Sequence, residues 1–176
     1  AGTSSSSFAP ASTGGESIGT SEPRFRAYEE ACQKRGILPK FARAARDGLF
    51  GGILDLSSQG FGDQQLEALL CDQELLPLGQ IFRWRLRDAR LTGAGCAALV
   101  SKLPGHTEVL DLSRNEAGLR GAAALAAPLS RMLLPQLRWL DLSVNNLRNE
   151  AVVALAASLS RCPMLLRLEL NHNQIQ

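Results

Sequence analysis

The segment from Leu137 to Ile175 reads LRWLDLSVNNLRNEAVVALAASLSRCPMLLRLELNHNQI. It begins with the pattern L-x-x-L-x-L-x-x-N-x-L, continues into an alanine-rich stretch, and starts the same pattern again at Leu165, 28 residues after the first start. A pattern that returns at this period is typical of one supersecondary unit, which cannot bury its apolar face alone and must stack on copies of itself. The segment therefore predicts that further copies stand beside these two.

Five copies of the pattern can be aligned along the chain, with starts 26 to 30 residues apart. They begin at Gly51, Ile81, Thr107, Leu137 and Leu165. Each copy predicts a short strand and then a helix, because the apolar residues of its second half recur at helical spacing. The predicted helices cover residues 64–70, 92–102, 120–131 and 149–161, with Thr92 and Asn149 as N-caps.

The motif LDLSxNxL, followed by a glycine- and alanine-rich helix, resembles the leucine-rich repeat of the ribonuclease-inhibitor-like class over residues 51–176. The resemblance implies a right-handed α/β solenoid of about five repeats, the last incomplete, shaped as a horseshoe. Its parallel strands would line the concave face and its helices the convex face.

In this class the asparagine side chain of each repeat is expected to bond backbone groups in the turn after the strand. Asn115, Asn145 and Asn173 stand at that position. Gln59 and Ala89 stand there in the first two copies. We therefore expect the first two turns to be less regular.

The part of the chain before the repeats divides into two segments. Residues 1–21 are rich in serine, glycine and threonine with almost no apolar mass, so we expect a disordered tail. Residues 22–50 are expected to form a helical cap that shields the first repeat from water. One helix should begin at Pro23 and end at Gly36, and a second short helix should follow Pro39.

The predicted cap also carries a motif, Phe25-Arg-x-Tyr28-x-x-x-Cys32, followed by Gly36-x-x-Pro39 and an ILDL strand. It is similar to the start of some centrosomal and ciliary leucine-rich-repeat proteins. The resemblance implies a cytoplasmic protein, with the cytoskeleton, the centrosome or the cilium as its setting.

Composition excludes several classes of function. The chain has 176 residues and a net charge of +2, whereas nucleic-acid and membrane-surface binding favour a strongly basic balance. The four cysteines have no paired spacing and predict buried reduced thiols in an intracellular protein. The two histidines have no neighbours at ligand spacing, so no metal site is predicted. We expect no cofactor and no small-molecule substrate.

The candidate binding residues lie between the leucines of the predicted strands. Along such a strand the leucines face the core and the intervening residues face the other side of the sheet. Parallel neighbours then place equivalent residues about 4.8 Å apart. The charged and aromatic residues chosen as partner-binding residues are Arg83, Arg85, Arg87, Asp111, Trp139, Asp141, Arg167 and Glu169.

Two readings of these charges stay open. Three arginines alternate along one strand, Arg83, Arg85 and Arg87. Their guanidinium groups could bind carboxylates or phosphates in a bidentate manner. Alternatively, they could be solvated and balance the charges of acidic neighbours. Arg85 should lie between two aspartates, while Asp111 and Asp141 should form a solvated acidic spot on the open face. The alternative to a binding role is that the LDLS sequence is a regular part of this repeat class. Trp84, between two of the arginines, is expected to pack in the core.

The function predicted from these residues is a non-catalytic scaffold that binds a protein partner on the concave face. No glycine-rich phosphate loop and no Ser, His and Asp set support catalysis. One alternative is a GTPase-activating protein of the Ran-activator type, because a Ran-activating family shares this repeat type. Another alternative is that the chain is a purely structural fragment. The chain begins with Ala1 and stops inside a repeat, so we expect a fragment or processed form. We expect this form to fray or self-associate.

Overall fold

The computed structural model describes residues 23–39, 51–71, 76 and 78–176. In these parts of the chain a first helix precedes a regular alternation of strands and helices, with one short 3-10 turn at Leu78–Gln80. The elements in chain order are α1 (Pro23–Lys34), β1 (Ile53–Asp55), α2 (Gly62–Leu70), β2 (Arg83–Arg85), α3 (Gly93–Val100), β3 (Val109–Asp111), α4 (Gly118–Ser130), β4 (Trp139–Asp141), α5 (Asn149–Leu159) and β5 (Arg167–Glu169).

The five strands form one parallel sheet in sequence order, β1-β2-β3-β4-β5. The middle residues of neighbouring strands pair with one another, in the series Leu54, Trp84, Leu110, Leu140 and Leu168. Each of the helices α2, α3 and α4 also contacts the next helix along the chain. The predicted five strands in register, with a helix after each of the first four, are therefore confirmed.

The core lies between the sheet and the helices and consists mainly of leucine. Every middle residue of β1 to β4 is fully buried, and so are the leucines two positions further on, Leu56, Leu86, Leu112 and Leu142. The helices come close to one another where glycine removes the side chain. A Cβ on Gly93 of α3 would stand 2.8 Å from the carbonyl oxygen of Ala117, directly before α4. The low aromatic content is thus compatible with dense packing.

Asn115 bonds the turn of the preceding unit as well as its own. Its Oδ1 accepts hydrogen bonds from the amides of Ala89 (3.1 Å) and Leu91 (3.0 Å), and its Nδ2 donates to the carbonyls of Leu86 (2.7 Å) and Leu112 (2.9 Å). Buried backbone groups that lack a partner cost free energy, so this one side chain stabilises two turns.

Asn145 and Asn173 repeat the arrangement, which confirms the predicted role of all three asparagines. Asn145 accepts from the amide of Ala117 at 3.1 Å and donates to the carbonyl of Leu112 at 2.8 Å. Asn173 accepts from the amide of Leu147 at 3.0 Å. The second turn is therefore regular although its own residue is alanine. The first turn has no asparagine at the equivalent position, and the buried Gln59 Oε1 bonds to nothing in the part of the chain that the structure describes.

The ends of the four repeat helices lie within two residues of the predicted ends, and one of the two predicted N-caps is wrong. α1 begins at Pro23, and Gly36 beyond its last residue has φ +64°, the left-handed conformation that ends a helix. The hydroxyl of Thr92 accepts from the amide of Ala94 at 3.2 Å, as an N-cap does. Asn149 is not an N-cap: it is the first helical residue, and its Oδ1 accepts from the amide of Gln176.

α1 packs against α2 at the β1 end of the sheet. Tyr28 stacks on Phe61, with ring centroids 6.2 Å apart and an interplanar angle of 12°. Tyr28, Ala31 and Cys32 are buried, whereas Arg26, Glu29, Glu30 and Lys34 are exposed. The predicted tail and the predicted second cap helix lie outside the described residues.

All four cysteines are free thiols, but they differ in burial. Cys32 and Cys96 are buried and Cys162 is half-buried, while Cys71 is exposed, so the prediction of buried thiols is wrong for Cys71. Cys71 lies directly after the last residue of α2, where its Sγ donates to the carbonyl of Ala68. No helix in the described parts of the chain is long and apolar enough to cross a membrane.

Candidate functional site

The side of the sheet opposite the buried leucines is lined by the first and third residues of each strand. We call this side the open face. Its members are Ile53, Asp55, Arg83, Arg85, Val109, Asp111, Trp139, Asp141, Arg167 and Glu169. The middle strand residues are buried and the first residues of β1 to β4 are half-buried, as a period of two requires. Trp84 is buried in the core, as predicted.

The structure brings the three arginines of the second unit together along β2 and its continuation. Arg85 Nη1 lies 3.7 Å from Asp55 Oδ2, and both side chains are partly exposed. An ion pair of this kind contributes only about 0.2–1 kcal/mol to stability. The Arg83 guanidinium lies 5.2 Å from the ring centroid of Phe82. Neither Arg83 nor Arg87 forms an ion pair with any described residue, so both keep their charges available.

The aspartates of the LDLS motifs have a structural role. Asp55, Asp111 and Asp141 each accept a hydrogen bond from the backbone amide two residues further on, at 3.0, 2.9 and 2.8 Å. This Asx-type bond closes the turn after each strand. The observation supports the interpretation that LDLS belongs to the construction of the repeat. The same carboxylates keep a second oxygen that bonds to no described residue, except where Asp55 pairs with Arg85.

One detail of the predicted acidic spot is wrong, because Asp141 is only 6% exposed and is not a solvated acid. Arg85 lies between Asp55 and Asp111 in the strand register, as predicted, and forms its ion pair with Asp55. Asp111 and Asp141 pair in register on adjacent strands, as predicted.

Trp139, Arg167 and Glu169 form a small cluster across β4 and β5. The Arg167 guanidinium lies 4.9 Å from the Trp139 ring centroid, within the range of a cation–π contact. Arg167 Nε also lies 2.6 Å from Glu169 Oε1. The indole Nε1 of Trp139 is buried and bonds to no described residue. This end of the open face therefore already holds one basic side chain against an aromatic ring and a carboxylate.

Ser143 was not among the predicted site residues, but the hydrogen bonding of its hydroxyl differs from that of the equivalent serine in the preceding unit. In that unit, the Ser113 hydroxyl donates to Asp111 Oδ1 at 2.6 Å. Ser143 is only 8% exposed, yet its Oγ bonds to no described residue. Both units read DLS, so no signal in the sequence could have found this difference.

Metal-ligand groups and nucleophilic thiols are two features from which catalysis could arise. No group of His, Cys, Asp and Glu within the described ranges could hold a metal ion. Burial and, less strongly, the charge of Asp63 raise the pKa of the Cys96 thiol to about 12. This thiol is therefore protonated near neutral pH and is a poor nucleophile.

One segment of the chain is similar to a known protein family. Residues 161–176 match a family model described as Leucine Rich repeat. These residues are therefore similar to one leucine-rich repeat, at the β5 end of the sheet. Such repeats are typically non-catalytic modules that bind other proteins.

Two curated relatives match a longer part of the chain. The Tonsoku-like protein of Bos taurus is 42% identical over 94 residues, which is 48% of this chain and 7% of the relative. The Tonsoku-like protein of Mus musculus is 37% identical over 111 residues, which is 57% of this chain and 8% of the relative. The chain therefore spans less than a tenth of the length of these relatives.

Proposed function

We propose that this protein is a non-catalytic interaction module that binds a partner protein on the open face of its sheet. The proposal rests chiefly on the strand register. In the strand register Arg85 lies opposite Asp111, Asp111 opposite Asp141, and Asp141 opposite Glu169, so charged side chains from four strands stand in one row. Trp139 and Arg167 stand beside that row on the same face.

The chemistry of the open face suits protein recognition. Tryptophan and arginine are enriched among residues that dominate binding energy at protein interfaces. The guanidinium groups of Arg83 and Arg87 can bind carboxylates in a bidentate manner. The scaffold beneath is preformed, because the asparagine side chains and the in-register sheet hold each strand, so binding needs little rearrangement.

The proposal includes the repeat class and the segments before the repeats. We assign the repeats in residues 51–176 to the ribonuclease-inhibitor-like class, in which the open face is concave. Residues 22–50 act as a helical cap and residues 1–21 as a tail. The packing of Tyr28 on Phe61 supports the cap. A cytoplasmic setting, with the cytoskeleton, centrosome or cilium as the site of action, completes the proposal and is testable by imaging the tagged protein.

Affinity capture with a charge-reversed open face tests the function. The variant carries Arg83→Glu, Arg85→Glu and Arg87→Glu together, and the matched control carries Arg120→Glu. Arg120 is exposed in the first turn of α4, where a negative charge is tolerated because it complements the helix dipole. We expect the captured proteins to be lost with the triple variant and retained with the control, with unchanged melting temperatures.

Two outcomes would contradict the proposal. Capture that persists with the folded triple variant would place the binding surface elsewhere. Faster GTP hydrolysis by a small GTPase in the presence of the chain would contradict the non-catalytic assignment and favour the Ran-activator alternative.

A further inference from the structure

The open face is divided by charge along its central row. In register across the strands, this row reads Asp55, Arg85, Asp111, Asp141 and Glu169. Arg83 and Arg87 flank Arg85 along β2 and its continuation, so the surface over β2 is basic in spite of the ion pair to Asp55. The surface over β3 and β4 is acidic, because no described cation pairs with Asp111 or Asp141.

Two further observations indicate that the acidic half receives a basic group. Ser143 lies two residues after Asp141 and its buried hydroxyl bonds to no described residue, whereas the equivalent hydroxyl of Ser113 donates to its own aspartate. A buried polar group without a partner costs free energy unless a ligand pairs with it. In addition, Arg167 already stacks on Trp139 beside this site, which shows that the surroundings stabilise a guanidinium.

The spacing of the two halves limits the shape of a partner. Neighbouring strands are about 4.8 Å apart, so the midpoint between Asp111 and Asp141 lies about 7 Å from Arg85 across the strands. An extended peptide advances about 3.3 Å per residue and turns alternate side chains to the same side. Two residues that are two positions apart are therefore separated by about 7 Å and face the same surface.

From this match we propose that the open face binds an extended peptide segment of a partner that crosses the strands and carries an acidic residue and a basic residue two positions apart. The acidic residue lies over β2 between Arg83 and Arg87. The basic residue lies between Asp111 and Asp141 and pairs with the carboxylate oxygens that no described residue uses, within reach of the Ser143 hydroxyl. This inference rests on the proposed function and adds the chemistry of the partner.

Selection from a displayed library of random twelve-residue peptides, with the whole chain immobilised, tests the inference. We expect the recovered peptides to be enriched in pairs of the form acidic-x-basic, in either chain direction. For a synthetic copy of a recovered peptide, replacing its basic residue by alanine, or moving it one position further from the acidic residue, should weaken binding about tenfold, the loss expected for a charge-assisted contact worth 1.4 kcal/mol.

Two variants of the protein test the two halves of the open face, one variant for the basic half and one for the acidic half. Arg87→Glu should weaken binding of the same peptide about tenfold, and because Arg87 is exposed and forms no ion pair with any described residue the fold should be unaffected. Ser143→Ala should weaken binding severalfold while the melting temperature stays equal or rises, since the hydroxyl bonds to no described residue. A purely structural role for Ser143 would leave binding unchanged.

The outcomes separate this inference from the proposed function. Peptides that bind through Arg87 but lack a basic residue two positions away would overturn the charge-pair inference and leave the open face as the binding surface. Peptides that bind equally well to Arg87→Glu, or a selection that recovers no peptide, would also overturn the inference. In either of these two cases the affinity capture with the triple variant still decides the proposed function independently.

Discussion

The two ends of the repeat stack follow the same sequence pattern but differ in burial. At the β1 end, Leu54 is fully buried, and α1 packs against α2 with Tyr28 stacked on Phe61. At the β5 end the equivalent Leu168 is 39% exposed, and Ile175 is exposed as well. A leucine in a repeat is therefore buried only when neighbouring elements cover its layer on both sides. The pattern places the leucine on the core side, and the neighbours decide how much it stabilises the fold.

Removal of the aromatic contact at the covered end should have the largest effect. Tyr28→Ala deletes a fully buried ring and should lower the free energy of unfolding by about 3–5 kcal/mol, as other large aromatic truncations do. Denaturation in urea measures the loss. Glu29→Ala, an exposed change in the same helix, is the control and should stay within about 0.5 kcal/mol. A similar small loss for Tyr28→Ala would mean that α1 does not stabilise the first layer.

The same truncation at two equivalent leucines compares the interior with the β5 end directly. Leu140→Ala, in a fully buried position, should lower the free energy of unfolding by about 2–5 kcal/mol. Leu168→Ala should cost roughly half of that or less, because a partly exposed side chain loses less burial and leaves no closed cavity. Both values come from the same urea titrations. Equal losses at the two positions would show that Leu168 is covered in solution, for example by self-association.

The asparagine bonds should show the same contrast at a smaller scale. Asn145→Ala leaves the buried amide of Ala117 and the carbonyl of Leu112 without this partner and should cost about 1–3 kcal/mol. Asn173→Ala should cost less, because the half-buried Asn173 side chain lies at the β5 end, where water can replace its hydrogen bonds once it is removed. The exposed Asn171→Ala provides the control. Thermal unfolding of the three variants measures the order, and a larger loss at Asn173 than at Asn145 would contradict it.

The smallest expected effect is a gain in stability that does not depend on position in the stack. Val144 has φ +56°, a left-handed conformation that is strained for a β-branched residue. Val144→Asn should raise the free energy of unfolding by about 1 kcal/mol, because asparagine tolerates this conformation. The equivalent His172 at the β5 end has φ +54°, and His172→Asn should give a gain of the same sign. A loss at Val144 would show that its half-exposed side chain contributes more by packing than its backbone costs.

Much of the candidate site could be placed from the sequence. The alternation of Leu with charged residues is local and periodic, so it put Arg83, Arg85, Asp111 and Asp141 on one face before any tertiary contact was known. The alternation could not predict which of the neighbouring charged side chains form ion pairs with one another. Arg85 pairs with Asp55 rather than with Asp111 because side-chain rotamers, which register does not determine, decide that contact.

The sequence by itself determined the number of units, the position of each strand and the side of the sheet on which each residue lies, since these depend on spacing along the chain. Only the tertiary structure decided which atoms are enclosed. Asp141 is buried and Asp111 is not, the hydroxyls of Ser113 and Ser143 differ, and Leu168 is exposed although its pattern matches Leu140. The physical reason is that burial and pairing depend on the units on either side, and identical motifs with different neighbours meet different surroundings.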